Sequence, residues 1–169
     1  VSNPKYDVER FLLDIETVFK ANLNTKIAEI NTEKSTLTPE TRDDFTLQTM
    51  GDDFWYLQHL PQVWSSKQFM VFGINAIDLK DQQEDNAIQV MKVFIEAVIP
   101  DTGDSKYKSN VFKSLRYTRA LQEVAMENYD SIRSFGKLKI DVLVPTTVAI
   151  GNKTLQSSGI EITASITAR

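Results

Sequence analysis

The chain has 169 residues, 41% hydrophobic and 25% charged, with no cysteine and a formal net charge of −4. That length and balance suit a single folded domain over 1–169 and argue against disorder throughout. The missing cysteine excludes a disulfide framework, thiolate-bound zinc and thiol catalysis, and the negative charge disfavours a nucleic-acid partner gripped by a basic surface.

In chain order, residues 1–5 lack the apolar core of a signal peptide, and no later apolar run approaches the roughly 20 residues that cross a bilayer. We therefore expect a soluble, unexported protein with no membrane partner. Val8, Phe11, Leu12, Ile15, Val18, Phe19, Leu23, Ile27 and Ile30 recur at spacings of three and four, which predicts a helix over 4–34 with Asn3 as cap before Pro4. Its far face, with Asp7, Glu9, Asp14, Glu16, Lys20 and Asn24, reads as solvated. Residues 35–44 are polar and predict an exposed loop, 45–49 a short strand, and 51–53 a turn. The stretch 54–64 then concentrates aromatic residues, among them Trp55, Tyr56 and Trp64. Such a cluster packs a core edge, and the same residue types also anchor subunit contacts.

Residues 68–79, where Phe69, Met70, Val71, Phe72 and Ile74 are apolar on both faces, predict a strand inside a sheet. The polar run 78–86 reads as an acidic turn. The next segment, 87–99, fits a helix through Ile88, Met91, Ile95 and Val98 and a strand through Met91, Val93, Ile95, Ala97 and Ile99. Pro100 and the β-branched content favour the strand, giving a long hairpin whose acidic tip, with Asp78, Asp81, Glu84 and Asp85, projects from the body.

An exposed loop over 101–109 leads to a second helix, capped by Asn110. Val111, Leu115, Thr118, Leu121, Val124 and Ala125 form its buried stripe, and Arg116, Arg119, Glu123 and Glu127 face outward. Strict alternation follows twice around Gly151-Asn152-Lys153. Leu138, Ile140, Val142 and Val144 share a face against Lys137, Lys139 and Asp141; Ile160, Ile162, Ala164 and Ile166 share a face against Glu161, Thr163, Ser165 and Thr167. Each segment needs its oily face covered by the rest of the chain. The fold class expected is α+β: a mainly antiparallel β-sheet with two helices packed on it and a projecting β-hairpin.

Tests for chemistry return little. His59 is the sole histidine, and Asp52, Asp53 and His59 have no spacing that favours a metal. No serine sits in a Gly-x-Ser-x-Gly elbow, the glycines are scattered singly, and Asp81, Glu84 and Asp85 lack the spacing of a calcium loop. We expect no catalytic residue, no metal and no cofactor, and an enzyme is disfavoured.

A long first helix, a sheet with a projecting hairpin, a helix bearing Ser114-Leu115-Arg116-Tyr117-Thr118-Arg119-Ala120-Leu121, and a closing run Gly159-Ile160-Glu161-Ile162-Thr163-Ala164 resemble the small α+β tail terminators of tailed bacteriophages and their neck relatives. The resemblance covers most of the chain as an architecture. It implies a structural virion protein, assembled in the host cytoplasm, whose copies form a hexameric ring that stacks on the last tail-tube ring and presents its other face to the neck or head connector. DNA would pass through without specific binding, and an acidic lumen keeps a polyanion mobile. Asp78, Asp81, Glu84 and Asp85 are then candidates for a lumen or stacking-face element, and Trp55, Tyr56, Trp64, Thr163, Ser165 and Thr167 for the subunit interface. The last three come from reading the final strand as an open sheet edge through which one subunit's sheet continues into the next. Two other readings compete with the ring: a monomeric binding module using 54–64 as a ligand groove, and a small hydrolase built around His59.

Overall fold

The computed structural model describes residues 8–37, 46–58, 67–83, 86–101, 107–132, 138–150 and 153–168. The first apolar stripe forms α1, Val8–Ser35, and buries Phe11, Ile15, Phe19, Leu23, Ile27 and Ile30 along one row. Each such side chain withdrawn from water contributes about 1.5–3 kcal/mol, which is what holds a helix that would be marginal alone. The expected cap, Asn3 before Pro4, lies outside the described residues.

Asn24, expected on the solvated face, does something else. Its side-chain oxygen accepts the Met50 N–H at 2.8 Å and its amide donates to the Met50 carbonyl at 2.9 Å. Asn31 treats Leu47 in the same way, at 2.8 and 2.9 Å. Seven helical residues rise about 10 Å, and three extended residues span about the same, so the two amides fit residues 47 and 50 of a strap running antiparallel to α1. The strand expected over 45–49 is therefore not a strand: 46–50 joins no sheet, and Phe45 lies outside the described residues. Leu47 and Met50 point into the core. Tyr117 completes the attachment by donating its hydroxyl to the Gln48 carbonyl at 2.7 Å, and burial holds that phenol well above its ordinary pKa.

Among the described residues five strands form one sheet: β1 (Trp55–Leu57), β2 (Phe69–Gln83), β3 (Asn86–Pro100), β4 (Lys139–Ile150) and β5 (Lys153–Ala168), in the order β1-β2-β3-β5-β4. Of the described strand pairs, β1–β2 is parallel and the others are antiparallel. The segment with mixed helix and strand periodicity is strand β3, with Met91, Val93, Ile95, Ala97 and Ile99 buried on the helix side. Val98 joins Phe69, Val71 and Leu155 in a smaller cluster on the opposite face.

One expectation about the hairpin needs correction. Residues 78–83 are strand rather than turn, since β2 pairs with β3 as far as Gln83↔Asn86; pairing outweighs the low strand preference of Asp, Lys and Gln there. β2 and β3 do form the expected long hairpin, and β5 borders β3 as far as Ala87↔Ala168, so three strands reach this end of the sheet.

Helix α2, Tyr107–Glu127, begins before Asn110, which is an internal residue and not its cap. Its buried side also differs from the expected stripe: Ser114, Tyr117, Thr118, Ala120, Leu121, Val124 and Ala125 are buried, and Leu115 is 44% exposed. Small residues bring α2 down onto β5. The Ser114 and Ser158 hydroxyls are hydrogen-bonded, the Ser158 hydroxyl also donates to the Ser114 carbonyl at 2.9 Å, and Thr118 Oγ1 lies 2.8 Å from Ser158 Oγ. Three hydroxyls at a buried helix–sheet contact would cost free energy if unpaired. Among the described residues no buried side-chain nitrogen or oxygen lacks a partner.

Candidate functional site: the two open edges of the sheet

The last strand of the chain is not the last strand of the sheet. β5 lies between β3 and β4 and pairs with both, so it has no edge to offer. Thr163 and Ser165 are half-buried in this central strand, and Thr167 is paired opposite Ile88. The expected seam through Thr163, Ser165 and Thr167 is thereby overturned: order along the chain does not set order in the sheet, and the β4–β5 hairpin folds back so that its second strand inserts beside β3.

The open edges are elsewhere. Among the described residues β4 pairs with β5 alone. Its alternation continues onto the helix side, but the cover runs out: Ile140 is half-buried, Val142 is 48% exposed and Val144 73%. The expectation that the rest of the chain covers this oily face fails at Val142 and Val144. Pro145 sits in an irregularity between Leu143 and Thr146. A proline within an alternating run marks an edge strand, and that was the sequence signal for placing β4 outermost.

The second edge is the distal half of β2. β1 matches β2 only over Trp55↔Met70 to Leu57↔Phe72. Gln58, at φ 56°, then turns away, donating its N–H to the Phe72 carbonyl at 2.8 Å and its side-chain amide to the Ile74 carbonyl at 3.2 Å. Beyond that point β2 has β3 on one side and no described strand on the other. Ile77, on the helix side, is 46% exposed.

The remaining site candidates divide. Trp55 packs edge-on against Phe72, with ring centroids 6.2 Å apart, and Tyr56 against Phe69 at 5.5 Å. Both rings are thus engaged inside the fold, as a core edge. Trp64 and His59 lie outside the described residues. Asp78 is exposed on β2, Asp81 is a residue of the same strand, and Glu84 and Asp85 lie outside the described residues. Asp52 and Asp53 form a short 3-10 turn, and among the described residues no group of three His, Cys, Asp or Glu could hold a metal ion.

Charge is balanced locally. On the helix-free face Lys139 pairs with Asp141 at 2.9 Å, and Glu161 accepts from Asn75 at 2.7 Å and lies 3.6 Å from Lys92. Across the helices Lys26 meets Glu127 at 2.7 Å and Glu29 at 2.8 Å, and Arg119 meets Glu33 at 2.6 Å and Glu123 at 2.7 Å. Hydrogen bonds donated to the Glu127 and Glu29 carboxylates hold the Lys26 ammonium above its usual pKa, and the Arg119 guanidinium holds the Glu33 carboxyl below its own. These exposed pairs orient α2 on α1 and add little stability. The surface features that stand out are edge backbone and uncovered aliphatic side chains, which suit pairing with another strand.

Among the described residues no helix is long and apolar enough to cross a membrane. No protein-family model and no curated protein sequence matches the chain.

Proposed function

We propose that this chain is a structural subunit of a tailed-bacteriophage particle, a tail terminator or neck protein whose hexameric ring caps the tail tube and joins it to the head connector. The observation that carries the reading is that, among the described residues, β4 at one end of the sheet and the distal half of β2 at the other have no outer strand, with Val142, Val144 and Ile77 exposed beside those edges. Exposed strand edges are an aggregation liability in a monomer. Head-to-tail contacts between two different edges generate closed rings or filaments, and closure removes the liability. The two helices on one face of a mainly antiparallel sheet agree with the architecture that the resemblance implies.

Its partners in this reading are further copies of itself, the tail-tube protein, the neck or head connector, and transiting DNA that is not gripped. Tail-tube polymerisation tests the assignment. With the tube protein of the same phage in excess, adding this chain should stop growth and leave a single ring at one tube end, seen by negative-stain microscopy. Tubes that lengthen unchanged, with bare ends at saturating chain, would refute it.

A further inference from the structure

Resting on the ring reading, the geometry points to one seam between copies: residues 139–141 of β4 pair antiparallel with residues 76–78 of the next copy's β2, Lys139 opposite Asp78 and Ile140 opposite Ile77. Strand direction comes first. β2 and β5 run one way and β3 and β4 the other, so a copy set alongside with its helices on the same face brings β2 antiparallel to β4. Antiparallel pairing is the more stable geometry.

Length comes next. The irregularity after Leu143 leaves 139–143 as the regular part of β4 beyond its hairpin end. Irregularities at Ile74/Ala76 and Lys80/Gln82 leave 76–80 as the regular part of β2 beyond β1. Two five-residue runs therefore face each other.

Side chains choose the register. Lys139 and Asp141 share the helix-free face with Ala76 and Asp78, whereas Ile140 and Val142 share the helix face with Ile77, so only registers differing by two residues keep the faces matched. Full overlap would set Asp141 against Asp78, like charge on like, which disfavours it. Sliding by two sets Lys139 against Asp78, Ile140 against Ile77 and Asp141 against Ala76. That register covers the half-exposed Ile77 with an aliphatic partner and pairs opposite charges. A symmetric β4-to-β4 contact would leave Ile77 and the β2 edge open and would stop at a dimer. In this seam Asp78 belongs to the interface.

The absence of cysteine makes the test clean. Ala76→Cys and Asp141→Cys are introduced together into the whole chain, which is assembled and oxidised. Within one copy, β2 and β4 are three strand spacings apart, about 14 Å, too far for a disulfide. The expected result is a reducible ladder of covalent multimers ending at the ring size, with neither single variant giving more than background. Dimers from Asp141→Cys alone would overturn the seam in favour of β4-to-β4 pairing. Rings that form but give no ladder would overturn the seam and leave the ring reading standing; no ring and no ladder, with the chain folded, would overturn both. A second variant guards against a cysteine artefact: Lys139→Glu should abolish the rings, and adding Asp78→Lys should restore them. Failure of the swap to restore them counts against this register.

Discussion

Gly159→Ala is expected to destabilise the chain by more than about 3 kcal/mol, enough to leave it largely insoluble or unfolded at 37 °C. A Cβ at this position would lie 1.9 Å from the Ile95 carbonyl oxygen, 2.7 Å from the Glu96 Cα and 2.8 Å from the Ile95 carbonyl carbon. All three are backbone atoms of the strand paired with it, so no side-chain rotation relieves the clash. The β3–β5 ladder would have to part at Glu96↔Gly159, next to the buried pair Ile95↔Ile160, in the middle of the sheet. Urea unfolding followed by circular dichroism measures the loss. Gly73→Ala is the control: there the nearest atoms belong to the Phe94 ring, at 3.0 Å, and to the Gln58 side chain, and a ring can turn. A smaller cost, about 1 kcal/mol, is expected. Equal effects at the two glycines would mean that the close approach of β5 to β3 is not what restricts position 159.

The double substitution Asn24→Ala with Asn31→Ala should release the strap at 46–50. Each amide satisfies both the N–H and the carbonyl of one strap residue, as a neighbouring strand would. Removing one leaves two peptide groups without their partner, at about 1–3 kcal/mol per site. Together the two changes should cost about 2–5 kcal/mol, and native-state hydrogen exchange should show the Leu47 and Met50 amides losing protection ahead of β3 and β5. Asn31→Asp separates the contributions, because it keeps the acceptor for Leu47 N–H and turns the donor into a carboxylate facing the Leu47 carbonyl. If the strap amides stay protected in the double variant, burial of Leu47 and Met50 holds the segment and the amides are incidental.

Local periodicity made much of this fold legible in the sequence. The six buried residues of α1 fall within the expected stripe, and the alternations around Ile140 and Ile160 are the strands β4 and β5. The β-branched content and Pro100 identified β3 despite its competing helical spacing. What periodicity cannot carry is which neighbour an element meets. Val142 and Val144 lie on the oily side of an alternating strand, yet nothing local to them says that α2 covers β5 and stops short. Leu115 was expected inside because it is apolar at helical spacing, but the close approach at Ser114, Thr118 and Ser158 gives the buried side to small residues and turns Leu115 outward. Asn24 reads as a solvated residue until the strap is placed beside it.

The site was less legible for the same reason. An edge is a property of the sheet, and β5 becomes central only through a long-range pairing with β3, separated from it by the whole of α2 and β4. Thr163, Ser165 and Thr167 look like a polar edge when read alone. Pro145 was the one local mark of where the edge is, since a proline interrupts the ladder on a strand that needs no second partner. The acidic run 78–86 was visible by composition, but the continuation of the strand through 78–83 followed from pairing with β3.

Measuring the mass of the assembled chain, free in solution and on tail tubes of its own phage, tests most directly whether these two edges exist to be joined. The expected species is one closed ring, hexameric, with no open series of larger filaments and with its β2 and β4 amides protected from exchange. A monomer in both settings, with the outer amides of 76–78 and 139–141 exchanging freely, would contradict it.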